Sequence, residues 1–275
     1  MAHALAENLK EPLHLPALPD DVLGSDTVVV YLAPDAAAFD TLAPGVPDWS
    51  AGIAFPEGGR IVLPAFGARM GQEPLATILH HELAHVALSR YLGRSVPRWF
   101  QEGYAQLATG SWNAANAWKL RVAMLLGQVR SLESLSLDFP GDRLSAEDAY
   151  LLSYTAVAYL WRLGGSAGFA RLLQRWHELG DLDAALRRTY GMTLGQFEEL
   201  WRKDVRRRFG WLLVLAQASV FWLGLTILLL ILGYWKIRRD RRKLARLRAL
   251  EAPEEIVERD VAGPVEEERG DGPAG

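Results

Sequence analysis

Two histidines and a glutamate set the first chemical question. His81-Glu82-Leu83-Ala84-His85 reads H-E-x-x-H inside a segment of helical pattern. At 3.6 residues per turn, positions i and i+4 lie one above the other, so His81 and His85 present two imidazoles to one point in space. Imidazole nitrogens suit Zn²⁺, and a glutamate after the first histidine lies beside the metal, where it can take a proton from a bound water. About one chain in a hundred of this length carries the pattern by chance, so its surroundings must support it. A catalytic zinc needs a third protein ligand and an open fourth position. The chain has six histidines, His3, His14, His80, His81, His85 and His177. A third histidine following through Gly at 88 and His at 91 is excluded, because those positions are Leu88 and Tyr91. A carboxylate on the next helix remains, and Ser95 to Ala105 supplies Glu102. Pro97 suits the first turn of that helix, and Gly93 gives the histidine helix a stop. Two helices joined by a short turn can then bring Glu102 to the imidazoles. His80 points about 100° away from the pair and is expected to be exposed. His177 reads as a surface histidine.

H-E-L-A-H, sixteen residues, then Glu102 within Trp99-Phe100-Gln101-Glu102-Gly103-Tyr104-Ala105 resembles the gluzincin clan of metallopeptidases. The likeness is to the compact bacterial peptidase MA-like family, whose third ligand stands in a W-x-x-E-G-x-A helix. Trp99, Glu102, Gly103 and Ala105 match that pattern. The gap from histidine to glutamate is shorter than in aminopeptidase and thermolysin-like members. The resemblance covers roughly residues 27 to 209, and its specific part is 80 to 105. It implies a membrane-anchored zinc peptidase acting on peptide or protein substrates, with Zn²⁺ on His81, His85 and Glu102. Glu82 would accept the proton of the attacking water and later return it to the leaving amine. Family members often place a tyrosine or histidine on a later helix to stabilise the tetrahedral intermediate. Tyr150 and Tyr154, four apart, share a helical face, and Tyr154 is the first choice for that role. Two core tyrosines with ordinary hydrogen bonds remain the alternative. A second reading of the whole chain is a catalytically inactive zincin-fold module, tethered to the membrane, that binds peptides or envelope components. The exopeptidase glutamate motif of large aminopeptidases is not visible, so endoproteolysis is preferred.

The elements that must position these residues follow from pattern. The expected fold class is α+β, predominantly α: a small N-terminal β-sheet packed on a helical zincin core, followed by one transmembrane helix. Residues 26 to 32 are β-rich and read as a buried strand. A short helix entered through Pro34 follows, then a hairpin over Gly52 to Leu63 turning at Pro56 to Gly59. Helices are expected at about 74–91, 97–108, 113–128, 145–164, 167–179, 181–190 and 193–209. Gly164-Gly165, Gly180 and Gly191 mark ends.

Composition adds the membrane. Trp211 to Trp235 is a run of 25 residues without charge, longer than the roughly 20 that cross a bilayer. Trp211, Tyr234 and Trp235 stand near its ends, where aromatic rings favour headgroups. The net charge of −3 hides two blocks: eight Lys or Arg against one Asp in 236–248, and nine acids against two Arg in 251–275. The eight basic residues after the span outnumber the five before it, Arg202, Lys203, Arg206, Arg207 and Arg208. This bias favours a cytoplasmic C-terminal tail and an extracytoplasmic catalytic domain. Met1 to Lys10 carries no signal peptide pattern, so either a leader lies upstream or the domain stays inside; members of the resembling family often carry an export signal, and the resemblance thus implies a leader. The absence of cysteine excludes disulfides and a thiolate zinc site. The domain plan is an N-terminal segment (1–26), a peptidase MA-like domain (27–209), a transmembrane helix (210–235), a basic juxtamembrane segment (236–250) and an acidic disordered tail (251–275). No nucleic-acid partner is expected, and the sequence fixes no oligomeric state.

Overall fold

The computed structural model describes residues 13–24, 27–47, 49–66, 74–93, 95–127, 130–137 and 143–251. Strands β1 (Val29–Ala33), β2 (Ile53–Phe55) and β3 (Arg60–Pro64) form one sheet in the order β1-β3-β2. β1 runs parallel to β3, with Val29 opposite Arg60, and β2 runs antiparallel to it, with Ile53 opposite Val62. β2 and β3 are the predicted hairpin, closed by a single 3₁₀ turn at Pro56–Gly58. The expectation that the first strand is buried on both faces is corrected. Val29 and Tyr31 are exposed, while Val30 and Leu32 pack towards a helix, because only one face of the sheet is covered there. Helix α1 (Ala36–Leu42) starts from Asp35, not Pro34: the Asp35 carboxylate accepts a hydrogen bond from the Ala38 N–H at 2.8 Å, a standard cap.

Helix α2 (Leu75–Leu92) carries both histidines and is apolar on most sides. The reason is that it is covered twice. Ile78, Leu79, Leu83 and Val86 pack on Ile61 and Leu63 of the sheet, whereas Ala84, Ala87 and Leu88 join the helical core. Helix α3 (Arg98–Thr109) follows, with Pro97 as its N-cap. Then come α4 (Ala114–Leu125), α5 (Leu132–Leu137), α6 (Arg143–Leu179), α7 (Leu182–Tyr190) and α8 (Leu194–Phe209). α6 holds the two helices expected over 145–179, which meet at Gly165, whose backbone is non-helical there (φ +60°), a conformation that glycine adopts without strain. α5 was not foreseen; with six residues and only Leu132 and Leu135 buried, it has no periodic signature.

The core is aromatic. Phe100 and Tyr104 of α3 stack near Phe169 of α6, and Phe100 meets Trp176 edge-on at 4.9 Å. Trp201 of α8 is fully buried and donates to the Thr155 hydroxyl at 3.0 Å. The Pro-punctuated segment 13–24 lies on this core: Leu18 is buried in it. The Tyr104 hydroxyl donates to the Pro16 carbonyl at 3.0 Å, and Arg90 donates to the Leu23 carbonyl.

The chain divides into two units, Met1–Val214 and Leu215–Gly275. Helix α9 (Trp211–Glu251) runs without interruption from the apolar stretch through the basic one, so the basic segment is helical. Within it, Phe221–Arg246 is long and apolar enough to cross a membrane, and none of its apolar window is buried by protein. The expected tail beyond Glu251, residues 1–12 and the start of the first strand at Asp26 lie outside the described residues.

Candidate metal centre

α2 and α3 cross so that one carboxylate oxygen meets two imidazoles. His81 Nε2 and His85 Nε2 each stand 3.5 Å from Glu102 Oε2. The three ligating atoms lie within 4.8 Å of one another. Bonds of about 2.0–2.1 Å to a tetrahedral centre place ligand atoms about 3.3–3.4 Å apart, close to the two 3.5 Å separations from Glu102. His85 Nδ1 is buried without a hydrogen-bond partner, so the directed contact of that ring is its Nε2 edge. The other oxygen of Glu102 faces Arg98 Nε at 3.5 Å, one turn back on α3.

The close crossing has a local cause. A Cβ on Gly103 would collide with the carbonyl oxygen of Ser153 on α6 and lie 2.6 Å from Val157 Cγ2. Only a bare Cα lets α3 seat there, and Glu102 is its neighbour. Burial by itself would raise the Glu102 carboxyl, but the charges and hydrogen bonds of His85 and His81 hold it well below the usual carboxylate range.

Glu82 is buried between the sheet and the metal group. Burial pushes its carboxyl up to about 7; His81 opposes the rise, Glu102 adds to it, and a hydrogen bond from the Ala54 backbone in β2 opposes it. The approach of the β2 end is tight: a Cβ on Gly52 would be 3.2 Å from Glu82 Oε1 and 2.9 Å from Leu63 Cδ2. His81 and Glu82 open onto a cleft of about 320 Å³. Its near side comes from Trp49 to Gly52, ahead of β2, and its far side from α3, α4 and α6.

Of the two tyrosines, Tyr150 lines the cleft and Tyr154 does not. Tyr150 interacts with Arg98, Glu102 and Glu82, and burial pushes its hydroxyl well above the ordinary range. Tyr154 stacks on Trp112 at 4.4 Å and lies near Arg162. Of the pair, Tyr150 rather than Tyr154, the first choice for the oxyanion role, stands on the cleft side of α6. His80 is half-buried and outside the metal group. His177 does more than sit on the surface, since its ring stacks on Tyr91 at 4.7 Å and its Nδ1 contacts the Tyr91 carbonyl, tying α6 to the end of α2. Arg98 escaped sequence reading although its i, i+4 spacing to Glu102 was visible. Trp49 and Gly52 had no local signal, because only the fold brings that loop to α2.

The model for the Peptidase MA superfamily matches residues 24–207. No curated protein and no solved structure gives a significant match. With most of the described first unit inside that match, and the paired helices at its centre, the chain belongs to the peptidase MA superfamily.

Proposed function

We propose that this chain is a membrane-anchored zinc metallopeptidase, with His81, His85 and Glu102 as metal ligands, Glu82 as general base and Tyr150 as the hydroxyl that stabilises the developing oxyanion. The observation that carries the reading is the convergence of two imidazoles on one Glu102 oxygen, 3.5 Å from each, beside a buried acid. A zinc ion held there supplies Lewis acidity and brings the pKa of its water towards about 7.

The protein groups do the rest. A peptide in the cleft has its scissile carbonyl between His81, Glu82 and Tyr150, all of which line one space. Glu82, with a carboxyl near 7, is matched to accept a proton from water at neutral pH and to give it to the leaving amine. Its hydrogen bond from Ala54 fixes one carboxylate oxygen against the sheet, leaving the other for this transfer. Tyr150 keeps its proton at every physiological pH and can donate a hydrogen bond to the carbonyl oxygen as negative charge forms. Arg98 holds the outer oxygen of Glu102, leaving the inner one directed at the two histidines.

The proposed organisation is a peptidase domain over 27–209, a span over 210–235, a basic helical segment to 250 and an acidic tail. The domain lies outside the cytoplasm and the basic end inside. Metal analysis and proteolysis test the reading together. The purified full chain should hold one zinc per molecule and cleave an unstructured protein. Glu82→Gln should keep the zinc and lose at least about a thousandfold in kcat. Cleavage by Glu82→Gln at the parent rate would remove Glu82 from the chemistry, and a chain without zinc would remove the metal.

A further inference from the structure

Past the metal group, the cleft is walled by two aromatic rings, Trp49 and Tyr150, and by the carboxylate of Glu147. The residues lining it include the acids Glu82 and Glu147 and neither a lysine nor an arginine. Glu147 and Tyr150 are three apart on α6, so they share a face one turn from each other. Tyr150 is the one beside Arg98 and Glu102. Glu147 accordingly stands one turn farther out, towards the N-terminal end of α6.

The Glu147 carboxylate is half-exposed and pairs with Lys119 of α4. Lys119 itself is not among the described residues that line the cleft. Gln106, Thr109 and Asn116 complete that wall with uncharged hydrogen-bonding groups. A side chain entering there meets aromatic faces, neutral dipoles and one carboxylate. Aromatic rings attract cations through their negative faces, and a carboxylate does so directly. An acidic side chain would meet the Glu147 carboxylate, and neither Lys119 nor Arg98 is among the described residues that line the cleft.

We infer that this outer part of the cleft is a subsite for a cationic peptide side chain, lysine or arginine, with Glu147 as its anchor. The inference rests on the peptidase reading above and narrows its substrates to chains carrying a basic residue near the scissile bond. Because Glu147 is partly solvated and already paired, the discrimination is moderate, about five- to tenfold between lysine and glutamate.

A competing role for Glu147 is mechanical, as the clasp that joins α6 to α4 through Lys119. Two substitutions separate the roles. Both Glu147→Gln and Lys119→Ala break the clasp, so a mechanical role moves binding the same way in each. For a subsite they act oppositely: Glu147→Gln removes the anchor, and Lys119→Ala strips it of its competitor. The measurement is fluorescence anisotropy of the full chain in detergent micelles, in a Glu82→Gln background that prevents turnover. The probes are labelled octapeptides that differ only at one central position, lysine, glutamine or glutamate. The lysine peptide should bind about five- to tenfold tighter than the glutamate peptide, with glutamine between. Glu147→Gln should flatten that ratio and Lys119→Ala should widen it. Equal affinities in the parent, or both substitutions shifting the ratio in one direction, overturn the subsite. Cleavage of an unstructured protein by the chain with Glu82 intact reports separately on the peptidase reading. A chain that cleaves but shows a flat ratio overturns the subsite alone. A chain that neither binds the peptides nor cleaves overturns both.

Discussion

Two tyrosines four residues apart on a helix offer a choice that helical spacing cannot make. Tyr150 and Tyr154 share a face, so periodicity assigns both to the same side of α6. What separates them is where α6 passes α3. Tyr150 reaches Arg98 and Glu102, and Tyr154, a turn later, is covered by Trp112. The consequence is kinetic. On the proposed role, Tyr150→Phe would remove the donor to the developing oxyanion and should lower kcat about a hundredfold with little change in KM. Tyr154→Phe should leave both within about twofold, since a stacked ring keeps its packing without the hydroxyl. Steady-state cleavage by the two variants decides it; the opposite ranking would return the role to Tyr154. The proposed ligand residues differ from the tyrosines in being legible one by one. His81 and His85 are fixed by spacing alone, and Glu102 by its helix, because each sits on a short-range pattern.

At the scale of elements, the decisive contact is the bare edge of α3 against α6. Adding a methyl group at Gly103 would drive it into the Ser153 carbonyl and Val157. Backbone cannot move aside as a flexible side chain can, so α3 must shift, carrying Glu102 away from the histidines. Gly103→Ala should cost about 1–3 kcal/mol of stability, the usual range for overpacking, and should weaken zinc binding as well. Thermal unfolding with and without chelator, alongside a zinc titration, measures both. A second junction depends on pH. Asp183 in α7 accepts the Leu194 N–H at 2.6 Å and pairs with Arg187 at 2.7 Å. The hydrogen bond and the pair lower its pKa below the ordinary 3.8. A lowered acid stabilises the fold above its unfolded pKa and loses that contribution as pH falls through the folded value. Asp183→Ala should therefore melt roughly 2–4 °C below the parent at pH 7, and the gap should narrow as pH falls below 3.8 and through the lower folded value. Helices α2, α3, α7 and α8 were readable because their breakers are local: Gly93, Pro97, Gly180 and Gly191. The pattern missed α5, too short for a period, and it marked the break inside α6, because Gly164-Gly165 reads as a stop. The structure shows a bend there, held by Tyr190 packed against Gly164.

At the scale of the whole molecule, the second unit is a helix whose apolar side chains have no protein to cover them. Phe221, Trp222, Leu230 and Trp235 are each more than 60% exposed within the described residues. Each such side chain favours an apolar surrounding by about 1.5–3 kcal/mol, and a row of them over more than four turns is matched by hydrocarbon. That row is readable from sequence since it needs only composition and length. Its direction is not, because orientation depends on a modest difference between flanks, eight basic residues against five. The lack of any cysteine makes the direction measurable without background. Ala115, exposed on α4, and Ala245, exposed on the basic part of α9, are sites where a small thiol disturbs no packing. With the catalytic domain outside, Ala115→Cys should react with a membrane-impermeant maleimide on intact cells, and Ala245→Cys only after permeabilisation. Reversal of that pattern would place the metal centre in the cytoplasm. The eight basic residues after the span would then be the ones outside, against the preference of basic flanks for the cytoplasmic face.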